Sequence, residues 1–519
     1  MRKTDGKKLY IFALMLIILI AVFIRTWQFG VIPAGMNQDG AMAAVDAKAL
    51  ADYGTDRFGM RYPVHLTAWG YGQMSALMSY LMAPCIKLLG LSVFSARLPM
   101  LLVSLAALGM LALFARVAGG SPLLLIVFFL GAINPWQILQ SRWALDCNLF
   151  PHFLLGGFAL LALSVSGYRR WLPFSMILFA LSMYCYGISI YTVPVLLLFS
   201  CILLLRRKLI TLRQALGAAA VYLLFAWPFI ACMIINTFRL KTIETPLFTI
   251  PFFPYSMRSS DILFFSDRPL LQQLLLNAKS LFRIIFQVYN GYVFNEVRGF
   301  GTLYVFSIPF MLAGCVLCFV RFRKNTACAL TVIWFLTAVY AGLVTANVNI
   351  NRINILFYPL ILFTGIGIKA FLDLFRKPAV GSTAASVLFL TYLAAFGLFS
   401  HTYFTSYAAL LEDSFMADFG RAVTAIRGSD ADKIYISADA QYKGYSHVSE
   451  ILTLFYMDID AHYYQSPDFH ERFSFRIPDS PDPAENAVYV LAKDDLPKFD
   501  SSLFRITDYG KFLTAEKAP

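Results

Sequence analysis

Four carboxylates crowd one short stretch, MNQDGAMAAVDAKALADYGTD: Asp39, Asp46, Asp52 and Asp56. Asp39 opens what reads as a helix, GAMAAVDAKALADYG, and Asp46 follows seven residues on. Seven residues make about two helical turns, so both carboxylates can share one face. A carboxylate so placed can take a proton from a hydroxyl; it can equally be a helix N-cap, a position Asp favours, and the two roles are compatible. A second group is NPWQILQSRWALDCN, where Arg142 and Asp146 stand four residues apart. They suit a helix-surface ion pair, and a guanidinium there also suits a lipid phosphate held by paired hydrogen bonds. The third is TANVNINRINILFYP, in which Asn347, Asn349 and Asn351 precede or flank Arg352. Arg352 either snorkels to the membrane surface or binds an anion. Arg258, Arg268 and Arg298 are weaker candidates of the same kind.

The elements that must position these groups are membrane helices. The 519 residues are 59% hydrophobic and 14% charged, with mean hydropathy +0.65. Soluble domains carry roughly 25% charged residues, and apolar runs here approach the ~20 residues needed to cross a bilayer. The composition therefore implies a polytopic α-helical membrane protein. The net charge of +13 lies in short knots between apolar runs, a positive-inside pattern rather than a nucleic-acid surface. Eight cysteines are present, none of them after about residue 402. They read as buried free thiols, and CVLC (315–318) sits mid-helix without the second pair that a zinc site requires.

Spans are expected near 8–25, 97–117, 121–138, 149–167, 171–188, 189–205, 212–235, 302–320, 326–345, 353–374 and 380–401. If 74–90 also crossed, the basic knots at 116, 169–170, 206–213, 321–324 and 376–377 would face opposite to the Lys-rich N-terminus. If it lies in the outer interface, all are cytoplasmic and the charge rule holds throughout. The expected plan is thus about eleven spans plus a juxtamembrane helix, with the N-terminus cytoplasmic as an uncleaved signal anchor. Two long external loops, 26–96 and 237–301, belong to a transmembrane domain of residues 1–401. Residues 402–519 carry 19 acids against 11 bases and read as a soluble extracytoplasmic α/β domain. Its strands are expected at KIYISA, AHYYQ, AVYVLA and FRITDYG, with a helix at HVSEILTLFYMD.

Tyr184, Tyr186 and Tyr191 fit an interfacial aromatic belt, and His65, in RYPVHLTAWGYGQ, reads as a loop residue. No phosphate-cradling glycine loop, GxSxG elbow or HExxH helix occurs, which leaves cytoplasmic nucleotide chemistry and zinc proteolysis without support.

The segments PAGMNQDGAMAAVDAKALADYG, GLSVFSARLPMLL, NPWQILQSRWALD and NINRINILFYPL resemble the glycosyltransferase C superfamily. Within it the chain is similar to family 39, the protein O-mannosyltransferases and bacterial aminoarabinose transferases, over roughly residues 8–400. The resemblance implies transfer of a hexose or pentose from a polyprenyl-phosphate donor to an acceptor on the outer side of the membrane, with inversion. It further implies Asp39 as the catalytic carboxylate, although Gly40 stands where relatives often have Glu. Arg142 and Arg352 would hold the donor phosphate, with Asp46, Asp146, Arg258 and Arg298 in support. No cofactor is firmly implied; a divalent metal is left open, with Asp146 and Asp46 as its candidate ligands. The acceptor (protein, glycolipid or wall polymer) is also open, and the expected location is a bacterial cytoplasmic membrane. A lipid-linked saccharide flippase, or a surface-glycan polymerase or ligase, is the alternative. A flippase needs charges near the middle of its spans, and the sequence concentrates its polar groups at their outer ends.

Overall fold

The computed structural model of the chain describes residues 3–70, 72–254, 269–438 and 446–518, with side chains from Gly6 onward. In chain order, α1 (Lys3–Thr26) holds the first apolar run and α2 (Gln38–Tyr53) the acidic stretch. A two-stranded ribbon, β1 (His65–Thr67) and β2 (Gln73–Ser75), leads to α3 (Leu77–Leu89). The next apolar block comprises α4 (Val93–Ala132), α5 (Pro135–Gln140), α6 (Asp146–Val165), α7 (Leu172–Ser182), α8 (Ser189–Arg206) and α9 (Leu212–Phe238). A ribbon of β3 (Ile243–Glu244) and β4 (Thr249–Ile250) precedes α10 (Leu270–Ile285). Then come α11 (Ile308–Val320), α12 (Thr326–Val344), α13 (Phe357–Leu372) and α14 (Pro378–Phe404). The remainder is α15 (Ser406–Ser414), α16 (Ala417–Ala425), β5 (Lys433–Ile436), α17 (Ser446–Tyr456), α18 (Ala461–Gln465), α19 (Pro467–Arg472), β6 (Phe473–Ser474), β7 (Ala487–Ala492), β8 (Phe504–Asp508) and β9 (Phe512–Lys517).

Among the described residues, eight helices are long and apolar enough to cross a membrane; the chain is a multi-pass membrane protein. The other three of the eleven expected runs are shorter helices: α7, α11 and the second half of α4. The two halves of α4 part at Gly119–Gly120, where Gly120 has φ 76° and ψ −166°, a conformation closed to residues with a Cβ. Segment 74–90 is the separate helix α3, as expected. Its buried Met78, Met82 and Ile86 recur every four residues, and Leu88 and Leu89 stay exposed.

The chain forms two compact units: Met1–Phe29, Met100–Ala231 and Arg258–Tyr407 in the first; Gly30–Pro99, Cys232–Met257 and Ala408–Pro519 in the second. In the first, α11 and α13 approach through small residues. A Cβ on Gly314 would stand 1.8 Å from the Phe363 carbonyl, and one on Gly367 1.9 Å from that of Phe310. Small residues allow membrane helices such contact.

The second unit holds the tail from Ala408 together with residues 30–99. Its sheet runs β6-β5-β7-β9-β8, with β5 parallel to β6 and β7 and the other pairs antiparallel. Tyr489, Leu491, Phe504, Leu513 and Ala515 fill its core. Three of the expected strands and the helix at 447–458 are present. AHYYQ is a correction: it is helix α18, because Asp460 accepts from the His462 and Tyr463 amides and caps a turn there.

Candidate active site

α2 is built for close packing. Ala41, Ala43, Ala44, Ala47 and Ala49 are at most 3% exposed, and small residues let α3 and α17 pack against it. Asn37, in extended conformation, is the N-cap residue, and Gly54 closes the helix with its amide on the Leu50 carbonyl. Asp39 is therefore not the cap. It lies in the first turn, where the helix dipole favours a negative charge. The carboxylate is half-buried, and its Oδ1 accepts the Trp69 indole N–H at 2.6 Å.

Asp46 goes elsewhere. It is fully buried and pairs with Arg57: Oδ2 lies 2.6 Å from Nη1, and Oδ1 accepts the Arg57 amide at 3.1 Å. Burial pushes the Asp46 carboxyl up, against the opposing pull of Arg57. The far side of that guanidinium donates from Nη2 to the carbonyls of Thr67 (2.9 Å) and Ala68 (3.1 Å). Asp56 folds its own loop, accepting from the amides of Phe58 and Met60. Two carboxylates of the opening stretch thus organise a loop rather than present themselves to a ligand.

The tail braces α2 within this unit. Tyr53 donates to Asp460 at 2.6 Å, Lys48 pairs with Asp458 at 2.9 Å, and Gln465 donates to the Arg57 carbonyl at 3.1 Å. His65 is buried on β1, with its ring against Phe253.

The first unit holds the arginines. Arg142, fully buried, donates from Nη1 to the carbonyls of Ile24 and Arg25, each at 3.0 Å. Its Nη2 reaches those of Trp27 (2.8 Å) and Gln28 (3.1 Å). The guanidinium also lies over Phe404 (4.9 Å) and Tyr403 (5.7 Å). It gathers carbonyls at and just past the end of α1, a role for cations at helix C-termini. Burial lowers its pKa, with Tyr403 opposing.

Arg25 is a second internal clamp, unforeseen from the sequence, donating to the carbonyls of Ala21, Gly131 and Ala132 and to Gln137. Arg352 is half-buried in the turn between α12 and α13. Its amide donates to Asn349 at 2.9 Å, and its Nη1 is 3.5 Å from the Thr345 hydroxyl. Asn354, two residues on, donates to the Cys147 carbonyl at 2.6 Å. The Arg352 segment and the head of α6, where Asp146 stands, are therefore joined. Arg298 is exposed beside the tight turn Val297–Gly301. Arg258 and Arg268 lie outside the described residues.

Of the two acids considered for a divalent ion, Asp46 is already engaged with Arg57. No group of three or more His, Cys, Asp or Glu among the described residues is placed to hold a metal. All eight cysteines are free; Cys85, Cys201 and Cys315 are only half-buried. Tyr184 lies in the turn between α7 and α8 and donates to the Phe225 carbonyl at 2.8 Å.

No family model and no curated protein matches the sequence. Solved structures do match the fold. ArnT from Cupriavidus metallidurans aligns over 99% of this chain and 98% of that chain at 12% identity. The TM-score is 0.57 for its apo state and 0.59 for its complex with undecaprenyl phosphate. The archaeal oligosaccharyltransferase AglB from Archaeoglobus fulgidus, in complex with an inhibitory peptide and a dolichol-phosphate, aligns at TM-score 0.53 and 12% identity. There 87% of this chain and 64% of that chain are covered. The chain has the polytopic fold of ArnT and AglB.

Proposed function

We propose that this protein is a membrane glycosyltransferase that moves a sugar from a polyprenyl-phosphate donor to an acceptor on the outer side of the membrane. The observation that carries the reading is the nearly end-to-end likeness to ArnT, a protein solved with undecaprenyl phosphate bound. Asp39, the half-buried carboxylate at the head of α2, is the base. It takes the proton of the acceptor nucleophile, whose lone pair forms the new bond to the anomeric carbon. The bond from that carbon to the phosphate oxygen breaks with inversion, and polyprenyl phosphate leaves with the electron pair. A cation offsets the charge developing on the leaving phosphate. We assign that role first to Arg352, at the mouth of α13. Arg142 is the second phosphate candidate, but both terminal nitrogens already serve carbonyls at and just past the end of α1. A phosphate would have to share or displace those bonds. The N-terminus is cytoplasmic in this reading, and the second unit's tail is extracytoplasmic.

The flippase alternative calls for a charge inside the spans. The buried Arg25 stands in the last turn of α1 rather than mid-span, and its donors are occupied by carbonyls and by Gln137. That favours a structural lock over a transport site.

The test is release of sugar or free polyprenyl phosphate from a panel of radiolabelled undecaprenyl-phosphate hexoses and pentoses, in nanodiscs, with and without EDTA. Wild type is expected to turn over one donor and Asp39→Asn to lose about 100-fold or more, the usual range for a general base. Equal turnover by Asp39→Asn would remove the catalytic assignment. Donor binding that survives Arg352→Ala and Arg142→Ala unchanged would remove the phosphate site.

A further inference from the structure

We infer that Trp69 is a positioning residue for Asp39, held in place by the buried Asp46–Arg57 pair. The inference rests on Asp39 being the catalytic carboxylate; the geometry on which it is built does not.

A closed circuit of contacts leaves α2 and returns to it. Asp46, two turns along α2 from Asp39, fixes Arg57 through two contacts of 2.6 Å and 3.1 Å. Arg57 turns its other terminal nitrogen to the carbonyls of Thr67 and Ala68. These residues end β1 and enter the turn that Ala68 closes, with its amide on the Gly72 carbonyl at 2.7 Å. Trp69 is next in the chain, and its indole returns to Asp39 at 2.6 Å. A planar guanidinium forks rigidly between its partners, so the distance from Asp46 to the turn is set, and with it the approach of the indole.

The consequence for chemistry is directional. A carboxylate on a helix surface rotates about its side-chain bonds, and an indole N–H on Oδ1 selects one orientation of its plane. A donor to the ionised form also favours that form. Trp69 is suited to this task because it donates one N–H and accepts none, so it cannot compete for the proton.

Trp69→Phe keeps an aromatic ring and removes the donor. It is expected to lower kcat about tenfold or more, in keeping with a hydrogen bond to a charged group, while the donor KM stays within about twofold. The acid limb of the kcat/KM profile is expected to move to higher pH, which a merely structural role would not produce. Ultraviolet resonance Raman spectroscopy reads the contact without turnover. The indole mode sensitive to N–H bonding, isolated as wild type minus Trp69→Phe, is expected to shift in Asp39→Ala and in Arg57→Lys.

Wild-type kcat and pH profile in Trp69→Phe would overturn the inference. So would a rise in KM alone, which would place the ring on the substrate, or an indole mode unmoved by Arg57→Lys. If Asp39→Asn turns over like wild type, the catalytic assignment fails, and the Raman comparison still decides whether Arg57 and Asp39 hold Trp69.

Discussion

Asp56 shows how one buried carboxyl ties this loop to pH. Burial first, then the neighbouring charge of Asp46, pushes it up to about 6. A carboxyl raised in the fold binds its proton more tightly there than in the unfolded chain, whose value is about 3.9. Its contribution is complete below the unfolded value and is lost as pH rises through about 6. Asp56→Asn keeps an Oδ1 for the Phe58 and Met60 amides and removes the charge. Melting curves in detergent between about pH 5 and about pH 7.5 are expected to show a smaller loss of Tm with pH in the variant. At the upper pH the variant should be at least as stable as wild type; identical slopes would show that Asp56 does not titrate in this window. At this scale the sequence was informative about residue type and less so about partners. Asp39 stood out as an acid beside the first span, but Trp69 lies thirty positions away across a hairpin. Only His65 invited notice in that loop, and it turned out to be buried on a strand. Asn37 took the cap that Asp39 could have filled because the helix begins two residues earlier than its glycine suggested.

Helices were legible where hydropathy alone decides them. The apolar runs became helices, and the segment at 74–90 became the short helix α3. Breaks were less visible, because a Gly-Gly pair inside an apolar run looks harmless until its φ is known. AHYYQ likewise mimics a strand by its aromatics, yet the preceding Asp460 caps it as a turn of helix. Elements also separate the two arginines, which the sequence could not. Arg142 ties off α1, so Arg142→Ala strands the buried carbonyls of Ile24 and Arg25 and frees those of Trp27 and Gln28. A cost of about 3 kcal/mol or more is expected, seen as a lower Tm whether or not donor is present. Arg352 lies half-buried in a turn, and Arg352→Ala is expected to keep the Tm within a few degrees while weakening binding of an undecaprenyl-phosphate sugar. A large Tm loss with Arg352→Ala, or none with Arg142→Ala, would reverse these roles.

At the scale of the molecule, the compact units do not follow the chain's hydropathy. The polar tail and the loop that follows α1 share the second unit, and α17 packs on α2, the helix that bears Asp39. The contacts divide by kind. Tyr53–Asp460 and Lys48–Asp458 are partly exposed, and such pairs contribute about 1 kcal/mol or less. Apolar burial does more: Val448 and Leu452 of α17 are fully buried, and truncating a buried Leu costs about 2–5 kcal/mol. The tail therefore serves α2 mainly through its packed helix. Hydrogen exchange over residues 38–53 tests this in the full-length protein. Leu452→Ala is expected to speed exchange in α2, whereas Tyr53→Phe with Lys48→Ala is expected to leave it nearly unchanged. Removal of residues 408–519 should expose α2 altogether and abolish turnover even though Asp39 is intact. If α2 stayed protected after that removal, the tail would be an independent domain and its task would lie with the acceptor.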